Sequence, residues 1–419
     1  MRQGRMTNTQ SAEAPKKPAK RPRDVRLDVY RGLCLIIIFI AHIYANPWAQ
    51  FIPARFGLSD ATEIFVFCSG MASAIAFGSV FARHGYWIGI SRVAFRIWQV
   101  YWAHVSLIIL TAATMVVIDA QLGGDAYVRG LMLDNLFNEH AKAAVVGVIT
   151  LTWVPPFFDI LPMYLVILGF IPLVVWLAEK DVRYAAGAVM ATWVAATFGL
   201  LWLPGEPWGP GRWFFNPFAW QLIFFTGFAF MRGWLPAPPA DRRLIVVAVA
   251  VLILAWPLEW EPLLSRVDSL QILRAELSVF IDKSNLGILR YIHFLALAYL
   301  AVIAAGENGS RLVAPGPFAR VFDVLRRTGQ QSLAVFMAGI LLSFLGGTIL
   351  NVFGRSMVTV TLVNAGGIAL LVLTAHSVAW FKSQPWQGDP RRHTVPVRPH
   401  VSSQQHATDP SRSLIKPAE

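Results

Sequence analysis

The sequence predicts an all-α polytopic integral membrane protein with about ten transmembrane helices and both termini in the cytoplasm. Of its 419 residues, 56% are hydrophobic and only 14% are charged, and the mean hydropathy is +0.53. A soluble domain of this size cannot bury so much apolar surface. The apolar residues also form runs near 20 residues long, the length at which a helix crosses a hydrocarbon layer of about 30 Å.

Ten such runs divide the chain into a membrane domain and two tails. We predict a basic, disordered cytoplasmic tail over 1–30, a ten-helix domain over 31–380 and a second disordered cytoplasmic tail over 381–419. Both tails are polar, and the first contains no apolar core of a signal peptide. The predicted spans are 32–50, 61–82, 97–119, 157–178, 184–203, 217–232, 243–260, 286–305, 330–350 and 357–380.

The basic residues predict the orientation. When residues near the end of a span are counted with the adjoining segment, 27 of the 36 lysines and arginines belong to the tails or to loops predicted inside, and 9 belong to outer connections. The positive-inside rule expects this distribution. Because no basic domain exists, the net charge of +12 indicates attraction to membrane lipids rather than to nucleic acid. Cys34 and Cys68 lie in apolar runs without metal-ligand spacing, so we expect neither a disulfide framework nor a metal site.

The first predicted span contains an arginine and a histidine. In "RGLCLIIIFIAHIYANP", Arg31 and His42 are eleven residues apart, which on a helix is about 20° in direction and about 16 Å along the axis. We expect Arg31 at the cytoplasmic interface and His42 deep in the membrane on the same face. Arg31 alone could be a snorkelling anchor, and His42 alone could make an interhelical hydrogen bond. Together they favour function, since an imidazole exchanges a proton near neutral pH.

Charged pairs also begin the next two spans. Asp60 and Glu63 are three residues apart where the second span starts, and a helix cap explains them without chemistry. Gly70 and the small residues after it predict close helix packing. Arg92 and Arg96 are four residues apart at the cytoplasmic start of the third span. They act either as topology signals or as phosphate-binding residues, because the guanidinium group matches the geometry of phosphate oxygens.

Two outer segments combine polar and aromatic residues. "PPFFDILPMY" places Asp159 and Tyr164 at the start of the fourth span, where Asp159 either caps its helix or faces a ligand. "PWGPGRWFFNPFAWQ" places Arg212, Asn216 and Gln221 among tryptophans and phenylalanines. Interfacial aromatic belts explain much of this composition, and aromatic faces beside such polar groups would also suit a carbohydrate.

Six segments of the chain match a known pattern in order and in spacing. They are "RDVRLDVYRGLCLIIIFIAHIYANP", "FGLSDATEIFVFCSG", "FFDILPMYLVIL", "FNPFAWQLIFFTG", "LRYIHFLALAYL" and "GQQSLAVFMAGILLS". Over about residues 23–380 the chain resembles the OpgC family, within the wider group of transmembrane acyltransferases. The resemblance implies an O-acyltransferase of the bacterial inner membrane. It would transfer a succinyl group from cytoplasmic succinyl-CoA to hydroxyls of osmoregulated periplasmic glucans, with no resident cofactor.

The resemblance also implies roles for the residues above. The wider group has an arginine, ten intervening residues and a histidine in its first span, which Arg31 and His42 reproduce, and arginines at the entrance of the third span, matched by Arg92 and Arg96. We therefore expect His42 to be catalytic and the three arginines to bind the donor. The residues expected to bind or support the acceptor are Asp60, Glu63, Asp159, Tyr164, Arg212, Asn216 and Gln221.

One position departs from the family, which often has an aspartate directly before the histidine. This chain has Ala41 there, so the role of an adjacent carboxylate is filled by another group or is dispensable. The expected partners are acyl-CoA, the periplasmic glucan, membrane lipids and the glucan-synthesis machinery, and we expect no nucleic acid.

Three other interpretations compete with this one. Within the enzyme class, the protein could transfer acetyl to another envelope polysaccharide. From another class, a transporter of glucan or lipid-linked sugar would also need many spans and polar intramembrane residues. It ranks lower because the sequence shows no internal repeat and no energy-coupling motif. A scaffold subunit without chemistry would tolerate replacement of His42.

Overall fold

The structure, a computed structural model, describes residues 24–387. Helices make up 77% of it, and the described residues form no β-strand, so the predicted all-α class is confirmed. The described residues fall into two compact units, which divide between Val378 and Ala379. The predicted tails lie outside the described residues except for 24–30 and 381–387. In the second unit, the described part is a helix end and a 3₁₀ turn, with Trp380, Phe381 and Trp386 in mutual ring contact.

Eighteen α-helices follow one another along the described chain. They are α1 (Val25–His42), α2 (Ala61–Ser73), α3 (Ser79–His84), α4 (Tyr86–Leu122), α5 (Ala126–Gly130), α6 (Ala141–Thr150), α7 (Ile160–Lys180), α8 (Val182–Thr197), α9 (Pro217–Arg232), α10 (Arg242–Ala255), α11 (Glu261–Leu264), α12 (Asp268–Glu276), α13 (Ser278–Ile281), α14 (Ile288–Ala305), α15 (Ser310–Val313), α16 (Ala319–Gln330), α17 (Ser332–Phe353) and α18 (Met357–Ser383). A π-helical segment, Ala74–Gly78, joins α2 to α3, and 3₁₀ turns occupy Pro47–Phe51, Pro53–Arg55, Leu133–Leu136, Trp256–Leu258, Glu307–Gly309 and Pro385–Gln387.

Each of the ten predicted spans overlaps one of these helices. Within the described residues, six helical segments are long and apolar enough to cross a membrane: Ala61–His84, Tyr86–Leu122, Ile160–Lys180, Ile288–Ala305, Ser332–Phe353 and Met357–Ser383. The other four predicted spans fall on α1, which carries three charged side chains, and on α8, α9 and α10, which have 14 to 16 residues. The chain is therefore a helical membrane protein, and the count of ten spans stays a prediction.

The first predicted span has different ends in the structure. Helix α1 begins at Val25 because the Asp24 carboxylate caps it by accepting from the Arg26 N–H at 3.0 Å. It ends at His42 because the next residue is extended and Asn46 caps a new 3₁₀ turn. The predicted run to residue 50 is therefore too long. His42 is the last residue of its helix.

Helices α1 and α16 cross with their backbones in close contact. A Cβ atom added at Gly32 would lie 1.9 Å from the Leu325 carbonyl oxygen, and one added at Gly329 would lie 1.9 Å from the Asp28 carbonyl oxygen. Only glycine fits on both sides of such a crossing. Since α1 also contacts α2 and α17, its position is defined from three sides.

The same arrangement recurs between α2 and α9. A Cβ at Gly70 would lie 1.9 Å from the Phe224 carbonyl oxygen, and one at Gly227 would lie 2.3 Å from the Phe67 carbonyl oxygen. The expectation that Gly70 serves helix packing is therefore confirmed. These two crossings set the spacing of α1 from α16 and of α2 from α9. Helices α1 and α2 both contribute residues to the site described below.

A half-buried carboxylate, Asp60, and a buried one, Glu63, are paired with distant cations at the start of α2. Asp60 and Glu63 form a capping box, as the sequence predicts. In addition, Glu63 accepts from the Arg290 guanidinium at 2.9 Å with exposed side-chain fractions of 0% and 10%, and Asp60 accepts from Lys283 at 2.5 Å. These two ion pairs tie α2 to α14 and to the segment before α14. Sequence reasoning missed them because the partners are more than 220 residues apart.

We predict that Arg290→Met lowers stability by about 3–5 kcal/mol, because it leaves the Glu63 carboxylate buried and unpaired. The double variant Glu63→Gln with Arg290→Met should recover most of the loss. Thermal denaturation of the purified protein in detergent measures both. The matched control is Arg326→Met, which removes the exposed Asp323–Arg326 pair and should cost under about 1 kcal/mol. Equal losses in Arg290→Met and Arg326→Met would contradict the importance of the buried pair.

Candidate active site

A cavity of about 540 Å³ opens where α1 ends and where α2 and α7 begin. This volume is typical of a site for a small molecule or for part of a larger one. Aromatic rings form much of its wall, namely Trp153, Phe157, Phe214 and Phe215. Its polar side chains come from five separate segments: His42, Thr62, Asp159, Glu206, Arg212 and Lys283.

His42 presents one ring nitrogen to this cavity. Its Nδ1 atom lies 2.7 Å from the Ile38 carbonyl oxygen. A carbonyl oxygen can only accept, so Nδ1 carries the proton and Nε2 keeps a free lone pair. The ring of Phe157 packs edge-on at 5.5 Å between centroids. Phe157 has a φ of 74°, a backbone conformation that costs a bulky residue about 1–3 kcal/mol and that is enriched at functional sites.

The hydrogen bond between His42 Nδ1 and the Ile38 carbonyl takes over the role that a carboxylate next to His42 would have. An acidic partner would hold an imidazole in one tautomer and one orientation. Here the Ile38 carbonyl does this from the preceding helical turn, while Ala41 itself lines the cavity with no polar group. The imidazole is therefore oriented without the adjacent aspartate.

Asp159 faces the cavity and does not cap its helix. It occupies the N-cap position of α7, but its side chain makes no capping hydrogen bond, so the capping alternative is wrong. Burial raises the pKa of Asp159 to about 7, although backbone N–H groups nearby act in the opposite direction. A carboxyl group with such a pKa can hold or release a proton near neutral pH.

Arg212 lies on a folded loop that connects α8 to α9, residues 198–216. Backbone hydrogen bonds close this loop, including the one from the Gly205 N–H to the Gly211 carbonyl at 2.7 Å. The Arg212 guanidinium stacks 4.4 Å from the ring centroid of Trp202. Beside it lies a second cavity of about 300 Å³, which shares Arg212 and Phe214 with the first and adds Trp202 and Trp213. Two adjoining cavities with aromatic walls therefore meet at Arg212.

Asn216 and Gln221 serve mainly to hold the structure together. The Asn216 side chain caps α9 and donates to the Leu201 carbonyl at 2.8 Å and to Asn285 at 2.9 Å, at the wall of the second cavity. Gln221 is buried and donates to the carbonyls of Val189 and Phe218. It lines neither cavity.

Asp60 and Glu63 lie behind the cavity wall rather than in it. Asp60 holds Lys283, and Lys283 lines the cavity. Burial alone would raise the pKa of Asp60, but the Lys283 ammonium holds that pKa well below its usual range.

Lys283 and Glu206 line the cavity but were missed by sequence reasoning. The turn-forming segment "DKSN" over 282–285 is the one sequence signal that could have pointed to Lys283.

Arg31 sits seven residues into α1, about 16 Å along the helix axis from His42. Its guanidinium donates from Nη2 to the Ser332 hydroxyl at the start of α17 and lies over the Phe65 ring. Its Nε atom is buried and has no hydrogen-bond partner among residues 24–387. A buried guanidinium N–H without an acceptor is costly.

Arg96 lies near Arg31, and Arg92 lies further out. Arg96 is close enough for its charge to act on Arg31, and it donates to Gln99 at 3.3 Å. Arg92 is exposed, with its guanidinium beside the Phe95 ring. Tyr164 also lies towards Arg31 rather than in the cavity, with its hydroxyl 3.5 Å from that of Ser73. The charges of Arg31 and Arg96 thus interact at a position remote from His42.

Comparison with known protein families gives a match that covers most of the chain. The profile of a protein family described as OpgC protein matches residues 23–383. Comparison with curated proteins and with solved structures finds no significant match.

We predict that Asp159→Asn changes how stability depends on pH. The native pKa of about 7 lies above the ordinary value near 3.9, so the unfolded state loses this proton first as the pH rises. Wild-type stability should therefore fall between about pH 4 and pH 7 relative to the variant. Denaturation midpoints across this range test the prediction. The control Asp268→Asn, at an exposed position, should parallel the wild type, and a parallel Asp159→Asn curve would contradict the burial of Asp159.

Proposed function

The chain belongs to the OpgC family, and from that premise we propose that it transfers a succinyl group from cytoplasmic succinyl-CoA to hydroxyls of periplasmic osmoregulated glucans. The family implies an acyltransferase, and the described helices make the chain a membrane protein. The observation that supports a catalytic site most strongly is the His42 imidazole. It has a defined tautomer and a free Nε2 in a cavity of suitable size.

In the proposed reaction, His42 Nε2 takes the proton of a sugar hydroxyl while the hydroxyl oxygen attacks the thioester carbonyl carbon. The new bond joins that oxygen to the succinyl carbon, and the bond from carbon to sulfur breaks. The proton passes from Nε2 to the departing CoA thiolate. A covalent acyl-histidine would use the same Nε2 atom as nucleophile, so both routes require the lone pair that the Ile38 hydrogen bond leaves free.

Arg31 and Arg96 are suited to bind the donor phosphates. The charge of Arg96 acts on Arg31, and one Arg31 N–H has no partner among the described residues. An anion between them would satisfy both guanidinium groups. The distance of about 16 Å along α1 to His42 resembles the length of an extended pantetheine arm. Arg92, which is exposed, would contribute at the outer edge of this site.

The aromatic cavities are suited to bind the acceptor. Sugar rings pack against aromatic faces while their hydroxyls need hydrogen-bonding groups. Trp202 and Arg212 lie where the two cavities adjoin, and Asp159 and Glu206 supply acceptors for hydroxyl protons. A second cavity beside the first leaves room for the neighbouring unit of a sugar chain.

We also propose ten spans, both termini in the cytoplasm and location in the bacterial inner membrane. The 27-to-9 distribution of basic residues supports this orientation. It places Arg31 and Arg96 towards the cytoplasm, where acyl-CoA occurs, and His42 towards the outer face, where the glucan occurs. The glucan-synthesis machinery and membrane lipids are the partners that follow from this location.

We predict that His42→Ala and His42→Gln accumulate normally in the membrane but lose glucan succinylation. A positioned general base contributes about 10²–10⁴ in rate, so the loss should be nearly complete. Glutamine can form a hydrogen bond but cannot act as a base at neutral pH. Mass spectrometry of the envelope glucans measures the result.

His376→Gln is the matched control, because His376 makes the same hydrogen bond to the carbonyl four residues earlier, at 2.8 Å, on an exposed face of α18. It should leave succinylation unchanged. A normally expressed His42→Gln protein with substantial succinylation would exclude catalysis by His42 and favour a scaffold.

We predict that Arg31→Lys and Arg96→Lys raise the KM for succinyl-CoA by about tenfold, because a lysine keeps the charge but loses the forked geometry that matches phosphate. The kcat should change less. Steady-state kinetics in detergent measure both constants. Arg183→Lys, an exposed position on another predicted inner loop, serves as the control. If all three variants had the same KM as the wild type, Arg31 and Arg96 would be topology signals only.

A further inference from the structure

The position of the Lys283 backbone is set by hydrogen bonds from three sides. The Asp282 carboxylate closes a turn by accepting from the N–H groups of Ser284 and Asn285 at 3.1 and 2.9 Å. The Trp220 indole donates to the Lys283 carbonyl at 3.0 Å. In addition, the Asn216 N–H donates to the Ser284 carbonyl at 3.0 Å. A lysine held this firmly is preorganised, so little conformational entropy is lost when a ligand binds it.

The Lys283 ammonium is held at the cavity by one hydrogen bond and keeps further N–H donors unused among the described residues. Its Nζ donates to Asp60 Oδ2 at 2.5 Å, and Asp60 is itself held by the Thr62 N–H at 2.7 Å. An ammonium group carries three N–H donors, and Nζ makes no second hydrogen bond within residues 24–387. Two donors are therefore available to a ligand.

The neighbouring ion pair shows what a purely structural role looks like. Arg290 and Glu63 are 10% and 0% exposed, and neither lines the cavity. Lys283 is 32% exposed and lines the cavity together with His42. Both ion pairs involve the start of α2, but only the Lys283 ammonium lines the cavity. The Arg290 guanidinium shows that a cation can pair with this helix end without lining the cavity.

We propose that Lys283 binds the free carboxylate of the acyl group and thereby selects succinyl over acetyl donors. This inference rests on the acyltransferase function proposed above. A succinyl group differs from an acetyl group by a carboxylate that lies roughly 4 Å from the thioester carbon, across three carbon–carbon bonds. Lys283 and His42 line one cavity. In the proposed complex the thioester carbon lies at His42 while the carboxylate lies at Lys283.

The other charged groups of the cavity are less suited to this task. Arg212 is exposed and stacked on Trp202, at the junction with the second cavity, which favours contact with the sugar chain. Glu206 is an acid and accepts from the Gly211 N–H. Asp159 has a pKa of about 7 and is therefore only partly ionised near neutral pH. It repels a ligand carboxylate less than a fully ionised aspartate would.

The test compares two donors on one enzyme. Purified wild type and Lys283→Met are each given equal amounts of succinyl-CoA and acetyl-CoA with a glucan acceptor, and mass spectrometry gives the ratio of the two products. Loss of a charge-assisted hydrogen bond should lower the succinyl-to-acetyl ratio by about 10- to 100-fold, with acetyl transfer nearly unchanged. Lys283→Arg should keep most of the preference, and Lys142→Met, an exposed lysine on α6, should keep all of it.

A double variant keeps the test valid if Lys283→Met alone fails to fold. Lys283→Met leaves Asp60 without its cation, whereas Asp60→Asn with Lys283→Met removes both charges and keeps a capping side chain at the start of α2. The same fall in the ratio is expected from the double variant. An unchanged ratio in the folded variants, while the wild type prefers succinyl, would overturn the role of Lys283 alone. A wild type that acylates glucan from neither donor would overturn the proposed function, and this inference with it.

Discussion

The pairing of buried charges at the start of α2 is the constraint on which the site depends. A buried carboxylate is stable only with a cation and full hydrogen bonding, and Asp60 and Glu63 meet that condition through Lys283 and Arg290. These pairs join α2 to a segment more than 220 residues later. As a consequence, the cavity wall that Lys283 contributes cannot move independently of α2.

Helix α1 connects the two ends of the proposed reaction. Glycines at its crossing with α16 bring the two backbones together, so α1 has little freedom to shift. Arg31 and His42 therefore keep a separation of about 16 Å along one face. The carbonyl of Ile38 then orients the imidazole within the last turn. Backbone geometry here orients the imidazole without an adjacent carboxylate.

The sequence predicted the helices much better than the contacts between them. Runs of apolar residues mark helices because the hydrocarbon layer demands that length, and every predicted span overlaps a helix. The end of α1 was misplaced because it depends on the extended Ile43 and the Asn46 cap. Gln221 has a residue type that suits a sugar site, yet its side chain is bound to two backbone carbonyls. Residue type and spacing do not reveal the direction of a side chain, and the partner of Asp60 is set by the tertiary fold.

We propose that a thioester from the cytoplasmic side and a hydroxyl from the outer side meet at His42. Sealed proteoliposomes with succinyl-CoA inside and glucan outside, followed by mass spectrometry of the external glucan, test this directly. The mass of that glucan should increase by one or more succinyl groups, and it should not change when both substrates are outside. Succinylation only when both substrates share one side of the membrane would contradict it.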